Sequence, residues 1–299
     1  MTQVKTRQKG LLPKAIRKTV FRVAEHEVGK SAAALTYYLL FAMFPLLVFV
    51  SNLLGLIDLD IASISKALMP IMPDDVVNLL EAYLYHVADN SSRVMLWFSL
   101  VFTVWFPFRA VKSLMDDVRI AYQLGKPARP VFYAIRQFLF TIIFLVIIIV
   151  LFLLAVLGRR FVSTLTNWLG LEEIVQIPTV LLNLWQYLRF VLLAAIMFAV
   201  LGLLYAASQD RRQPTRAIMP GVAIAMTAWL IVSIGFSIYV ENFANYSVIY
   251  GALGAVIVLL MWLYMTSFIL ILGAECNASL VSARQEVLEV AEQQVAVSS

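Results

Sequence analysis

The sequence predicts an all-α membrane protein, a polytopic helix bundle with about six transmembrane helices and both termini in the cytoplasm. Three observations carry that prediction. Of 299 residues, 62% are hydrophobic and 14% charged, with a mean hydropathy of +0.87, whereas soluble domains carry about a quarter charged residues. The apolar residues gather in blocks, and about twenty such residues suffice for a helix to cross a hydrocarbon core. The Lys and Arg residues fall mainly in alternate connections between those blocks, as the positive-inside rule requires.

Residues 1–31 form a basic leader with Lys5, Arg7, Lys9, Lys14, Arg17, Lys18, Arg22 and Lys30. Ile16, Val20 and Val23 recur at helical spacing while Lys14, Arg17 and Lys18 face elsewhere. The leader reads either as an amphipathic helix on an anionic leaflet or as a basic segment that only sets orientation. A transmembrane domain follows over 32–276, with spans at 32–57, 94–110, 137–158, 181–207, 217–240 and 250–275, and a tail over 277–299. The first apolar run is too long for a signal-peptide core, and no small-residue cleavage site follows it.

The second span is short and must extend into Arg109 and Ala110. The fourth contains Arg189, which we assign to the outer interface, snorkelling beside the anchors Trp185 and Tyr187. The outer loop 58–93 is acidic, and Pro73–Asp74 opens a helix whose apolar face is Val76, Leu79, Leu80, Tyr83 and Val87. That helix lies on the outer surface or caps the bundle mouth. The tail carries a weaker helical pattern through Leu280, Val287, Leu288 and Ala291. With this topology, 18 of the 23 Lys and Arg residues lie in cytoplasmic segments. Dropping the short second span would expel the basic 109–136 segment, against the rule.

Polar residues at membrane depth are costly, so each is either packing glue or part of a pathway. In the first span Ser31, Tyr38, Pro45 and Asn52 recur every seven residues and share one stripe. Pro45 removes a backbone donor and frees the carbonyl around Phe41, giving a gate or a sealed structural kink. In the last span Tyr250, Tyr264 and Glu275 fall within about 40° of one another at helical pitch. Glu275 suits a proton- or cation-coupled step if buried, or pairs with Arg109, or bonds loop amides. Arg109 follows Pro107 and either attracts an anionic substrate or headgroup or simply snorkels. The fifth span ends in the ladder Ser233, Ser237 and Glu241, and Glu241, Asn242 and Asn245 can line an outer vestibule.

Three stretches carry a family resemblance. Ser31-Ala-Ala-Ala-Leu-Thr-Tyr-Tyr opens the first span; Tyr250-Gly-Ala-Leu-Gly precedes Trp262-Leu-Tyr; Leu272-Gly-Ala-Glu-Cys-Asn-Ala ends the last span. Over roughly 20–280 their order resembles the YihY/BrkB family of bacterial inner-membrane proteins. The resemblance implies a multi-pass inner-membrane protein. Members were once labelled as a tRNA-processing ribonuclease, the family has been linked to serum resistance, and a transport role has been suggested.

The residues argue against an enzyme. Cys276 is the single cysteine, which leaves no internal disulfide and no cysteine-based zinc site. His26 and His86 lie on opposite sides of the proposed membrane, and HExxH, GxSxG, P-loop and dinucleotide motifs are absent. No cofactor is expected. The charges lie between apolar blocks, so the expected partners are membrane lipids and a small-molecule or lipid substrate, with no nucleic acid and with a homo-oligomer left open. The function expected is a transporter or flippase-like protein that is gradient-driven, passive or powered by a partner. The alternative is a non-transporting scaffold in envelope assembly.

Overall fold

Long apolar runs without turn residues must close their backbone hydrogen bonds internally in lipid, which leaves helices as the solution. A computed structural model of the chain describes residues 11–57, 62, 65–66, 69, 74–89, 93–168, 179–210, 215–242 and 252–298. Its elements are all helical: α1 (Leu11–Glu25), α2 (Val28–Ile57), α3 (Asp74–Asp89), α4 (Arg93–Ala121), α5 (Pro130–Trp168), α6 (Thr179–Ala207), α7 (Thr215–Asn242) and α8 (Ala252–Ser298). Each of the six expected spans falls on one helix. Five have stretches long and apolar enough to cross a membrane: Val28–Phe49, Trp97–Ala121, Pro130–Ile149, Ala217–Glu241 and Leu253–Val287. The corresponding described stretch of α6, Val191–Ala207, is shorter.

Three helices outrun the apolar blocks that predict them, and α5 runs past both ends of 137–158. Helix α4 continues through Pro107 and Arg109 to Ala121, and α8 continues past Cys276 to Ser298. Packing against protein replaces lipid as the reason to stay helical there. Ala110, Val111, Leu114, Met115, Val118 and Ala121 bury one face of α4. The last turn of α4 closes with Gln123 at φ 53°, and Leu124 N–H donates to the Arg119 carbonyl at 2.9 Å, a left-handed helix stop.

The amphipathic pattern of 11–25 does form a helix, and it docks along the C-terminal half of α8. Ala15 and Thr19 face that contact and are buried, and Lys18 pairs with Glu286 and donates to Ser282 Oγ. Ile16, Val20 and Phe21 remain exposed on the other side. A two-residue turn joins α1 to α2, with Glu27 at φ 50°. That left-handed conformation costs a non-glycine residue roughly 1–2 kcal/mol, and the abrupt bend sets His26 against α8.

Helix α3 starts at Asp74, as Pro73 and Asp74 predict, and packs on α2 and α8, so it caps the bundle. Among its described side chains Val77 and Leu80 are buried; Leu80 belongs to the expected apolar face, whose Val76, Tyr83 and Val87 side chains lie outside the described residues. The common core lies at the end of the bundle that carries the basic connections. It joins Ala32 and Leu35 of α2, Met115 and Val118 of α4, Tyr205 of α6, Val222 of α7 and Ile271 and Ala274 of α8. Large apolar side chains such as Trp97, Trp105, Ile231 and Ile234 point outward, as they do when lipid is the solvent.

Candidate functional site

Two members of the α2 stripe, Ser31 and Tyr38, face α4. Ser31 lies near Asp117, and two turns further along Arg109 Nη2 donates to the Tyr38 hydroxyl at 3.0 Å. The Arg109 guanidinium also lies 5.2 Å from the centre of the Tyr38 ring, within cation–π range. No acidic side chain among the described residues forms an ion pair with Arg109. An aromatic ladder runs beside it, Tyr37 on Phe41, Phe41 on Phe106 and Phe106 on Phe102, with ring centres 4.6, 5.5 and 5.7 Å apart.

A second polar group lies deeper in the packed end. Glu275 is 1% exposed, and its Oε1 is 2.6 Å from His26 Nδ1, while its Oε2 has no partner among the described residues. Asp117 lies near Ser31 and Ser113, and its Oδ2 is likewise buried and without a hydrogen-bond partner among the described residues. Beside Asp117, Asp116 accepts hydrogen bonds from Tyr133 at 3.0 Å and Gln137 at 3.3 Å.

Helices α7 and α8 meet through glycines. A Cβ at Gly221 would fall 2.3 Å from Asn277 Cβ and 2.7 Å from the Gly273 carbonyl, and a Cβ at Gly273 would fall 2.5 Å from Ala225 Cβ. This contact lets Asn277 act as a bracket, with Oδ1 accepting from Gly221 N–H at 3.0 Å and Nδ2 donating to the Tyr122 hydroxyl. Burial pushes the Tyr122 phenol up from its ordinary range. Tyr205 donates across the same junction to the Leu270 carbonyl. At the rim, Arg119 is 4% exposed and grips Asp210 through both carboxylate oxygens, at 3.1 and 2.9 Å, and the carbonyls of Ser208 and Gly125. That guanidinium holds the Asp210 carboxyl below its ordinary range.

The predicted site residues therefore separate into groups. Tyr38 and Arg109 meet, and Pro45 is half-buried further along the same stripe of α2. Glu275 pairs with His26 rather than with Arg109, because the α1–α2 turn brings the imidazole to α8. Tyr264 is 40% exposed and, with Val232, Met265, Phe268 and Ile269, lines an open apolar groove of about 320 Å³ between α7 and α8; its hydroxyl reaches Gly29, where a Cβ would lie 3.3 Å away. Tyr38, Tyr264 and Glu275 thus face different surroundings rather than one cavity. Glu241 is exposed and accepts from Ser237 at 3.0 Å. Asn52 and Asn242 lie on helices, but their side chains fall outside the described residues, as does Tyr250 entirely.

Sequence reasoning missed Asp117, His26 and Asn277 as members of a site. Asp117 had one available signal, an acidic residue within the basic 109–136 segment eight positions after Arg109. Among the described residues no three His, Cys, Asp or Glu side chains converge as a metal site.

The model of the family described as "Virulence factor BrkB" matches residues 19–296. A "Putative ribonuclease-like protein YfkH" of Bacillus subtilis is 27% identical over 259 residues, which is 87% of this chain and 92% of that one. A "UPF0761 membrane protein" of Chromohalobacter salexigens is 25% identical over 275 residues, 92% of this chain and 65% of its own. One from Alteromonas mediterranea is 39% identical over 90 residues, 30% of each chain. No solved structure matches. With a helical membrane-type bundle and a family match across nearly its whole length, the chain is a multi-pass membrane protein belonging to the BrkB family.

Proposed function

We propose that the protein sits in the bacterial inner membrane with both termini cytoplasmic and moves an amphiphile or small solute bearing an anionic group, an anionic lipid above all. The observation that carries this reading is Arg109. It stands within the span Trp97–Ala121, bonded to Tyr38 and without an acidic partner among the described residues. Where the apolar run 94–108 gives way to the cytoplasmic segment, this half-buried guanidinium can receive an anionic group at the interface, and its planar fork suits a phosphate or carboxylate. The adjacent Tyr37, Phe41 and Phe106 rings offer an apolar wall for a hydrocarbon chain.

The orientation rests on the 18 of 23 Lys and Arg residues assigned to one side. Cysteine labelling that reached 109–136 from outside intact cells would overturn it. The nuclease suggested by the name of the Bacillus relative needs convergent metal ligands or an activated nucleophile, so we assign no catalytic role to this chain.

The test is full-length protein in liposomes carrying a fluorescent phosphatidylglycerol, with leaflet exchange read by chemical quenching from outside. Exchange should depend on the protein, fall at least tenfold in Arg109→Ala, and persist in part in Arg109→Lys. A folded Arg109→Ala protein that moves lipid at the wild-type rate refutes the assignment. Failure to move any lipid or metabolite, together with crosslinking to one stoichiometric protein, would favour the scaffold instead.

A further inference from the structure

The second polar group is not needed to hold an anion, and its bonding is incomplete. Two acidic side chains, Glu275 at 1% and Asp117 at 8% exposure, each keep one carboxylate oxygen without a hydrogen-bond partner among the described residues. They come from α8 and α4, yet stand close enough that Asp117 feels the negative charge of Glu275 as well as that of Asp116.

The surrounding charges do not balance them. From the α1–α2 turn comes His26, at 2.6 Å from Glu275. The acid next to the pair on α4, Asp116, is already bonded by Tyr133 and Gln137 of α5. Cys276 sits beside Glu275 on α8, and Tyr122, just beyond α4, is engaged by Asn277. Of the neighbouring cations, Lys30 is paired with Glu27, and Arg22 reaches the Ala121 carbonyl at 3.5 Å. Among the described residues neither Lys nor Arg pairs with Asp117 or Glu275.

A buried ionised oxygen without a donor costs several kcal/mol. Two such oxygens near each other repel in addition, and a single imidazolium neutralises only one charge. A metal ion would relieve this, but the described residues do not converge the ligands to hold one. A hydrogen on a carboxyl oxygen relieves it with no further ligand.

We propose that Asp117, Glu275 and His26 form a proton-binding site that joins α4, α8 and the α1–α2 turn. The route in is His26, whose side chain is 13% exposed while Glu275 is 1% exposed. The imidazole accepts a proton from the aqueous side on Nε2 and releases the one on Nδ1 to Glu275 Oε1. An O–H bond of hydronium breaks as the Nε2–H bond forms, and the Nδ1–H bond breaks as the O–H bond on Glu275 forms, so the net event is transfer of a single proton from water to the acid pair. Loading the site removes the repulsion between α4 and α8, and unloading restores it. The site does not depend on the anion-transport reading of Arg109.

The experiment is infrared difference spectroscopy of the full-length protein in lipid nanodiscs, titrated over the pH range in which it stays folded. The carboxylic-acid C=O band should appear and disappear with pH, equivalent to a single proton per chain. Glu275→Gln or Asp117→Asn should remove or shift it, and His26→Gln should change the pH at which it titrates. Arg109→Ala, which disables the proposed transport site, should leave the band unchanged, so the two readings fail separately. The proposal is wrong if wild-type protein shows no titrating carboxylic-acid band. It is equally wrong if the band survives both acid substitutions, or if sodium or magnesium at constant pH abolishes it. The wild-type titration alone can refute the idea even if a variant does not fold.

Discussion

Replacing Gly221 by Ala adds one methyl group where the backbones of α7 and α8 touch. The new Cβ would stand 2.3 Å from Asn277 Cβ and 2.7 Å from both Asn277 Cγ and the Gly273 carbonyl oxygen. Carbon atoms rest about 3.5–4.0 Å apart, so the helices must part by roughly 1 Å, or Asn277 must swing away. Overpacking of this kind costs about 1–3 kcal/mol. Either movement also breaks the 3.0 Å bond from Gly221 N–H to Asn277 Oδ1 and strands a fully buried amide, adding about 1–3 kcal/mol. Together the loss should be about 2–6 kcal/mol. Gly235, on the same helix, has nothing within 4 Å of its would-be Cβ. Gly235→Ala should therefore be neutral or stabilise the helix by about 0.5–1 kcal/mol. Both variants can be compared by titrating sodium dodecyl sulfate into mixed micelles and following unfolding by tryptophan fluorescence. A Gly221→Ala protein as stable as Gly235→Ala would mean that α7 and α8 do not approach through these glycines.

Three further outcomes are expected. Arg119→Ala should destabilise the protein by about 2–3 kcal/mol in the same titration, because it orphans the Ser208 and Gly125 carbonyls as well as Asp210. Since Arg119 depresses the Asp210 carboxyl, that pair's contribution should be complete above the ordinary aspartate value of about 4 and fade as pH falls through the lower folded value. Stability measured against pH should thus lose part of its acid-side slope in Asp210→Asn; an unchanged slope would count against the pair. By contrast, the Lys18–Glu286 pair joins side chains 28% and 51% exposed. Lys18→Gln should cost about 0–1 kcal/mol and less in high salt, so a larger loss would mean that α1 depends on this pair rather than on Ala15 and Thr19.

Much of the fold is legible along the chain because lipid imposes a local rule. A block such as 217–240 must be helical whatever its neighbours are, since its backbone groups find no water, and α7 spans Thr215–Asn242. Pro73 and Asp74 likewise announce the start of α3. The ends of α4 and α8 were less readable, because Asp116, Asp117 and Arg119 on one helix and Glu275 and Asn277 on the other resemble a loop's composition. They remain helical because both helix ends are packed inside protein, where Arg119, Asp116 and Asn277 find partners on other segments. The stripe on α2 was readable as a face, but not the placement of Ser31 and Tyr38 opposite α4.

By itself, the sequence determined which segments prefer lipid and which residues share a side of each helix, because both follow from hydropathy and a repeat of 3.6 residues. Tertiary structure alone decided that His26 meets Glu275 across 249 residues of chain, that Tyr38 meets Arg109 across 71, and that Asn277 reaches Gly221 across 56. Helical periodicity fixes the direction of a side chain about its own axis. Which helix stands in that direction, and how closely, depends on glycine contacts and turn geometry that bring distant segments together.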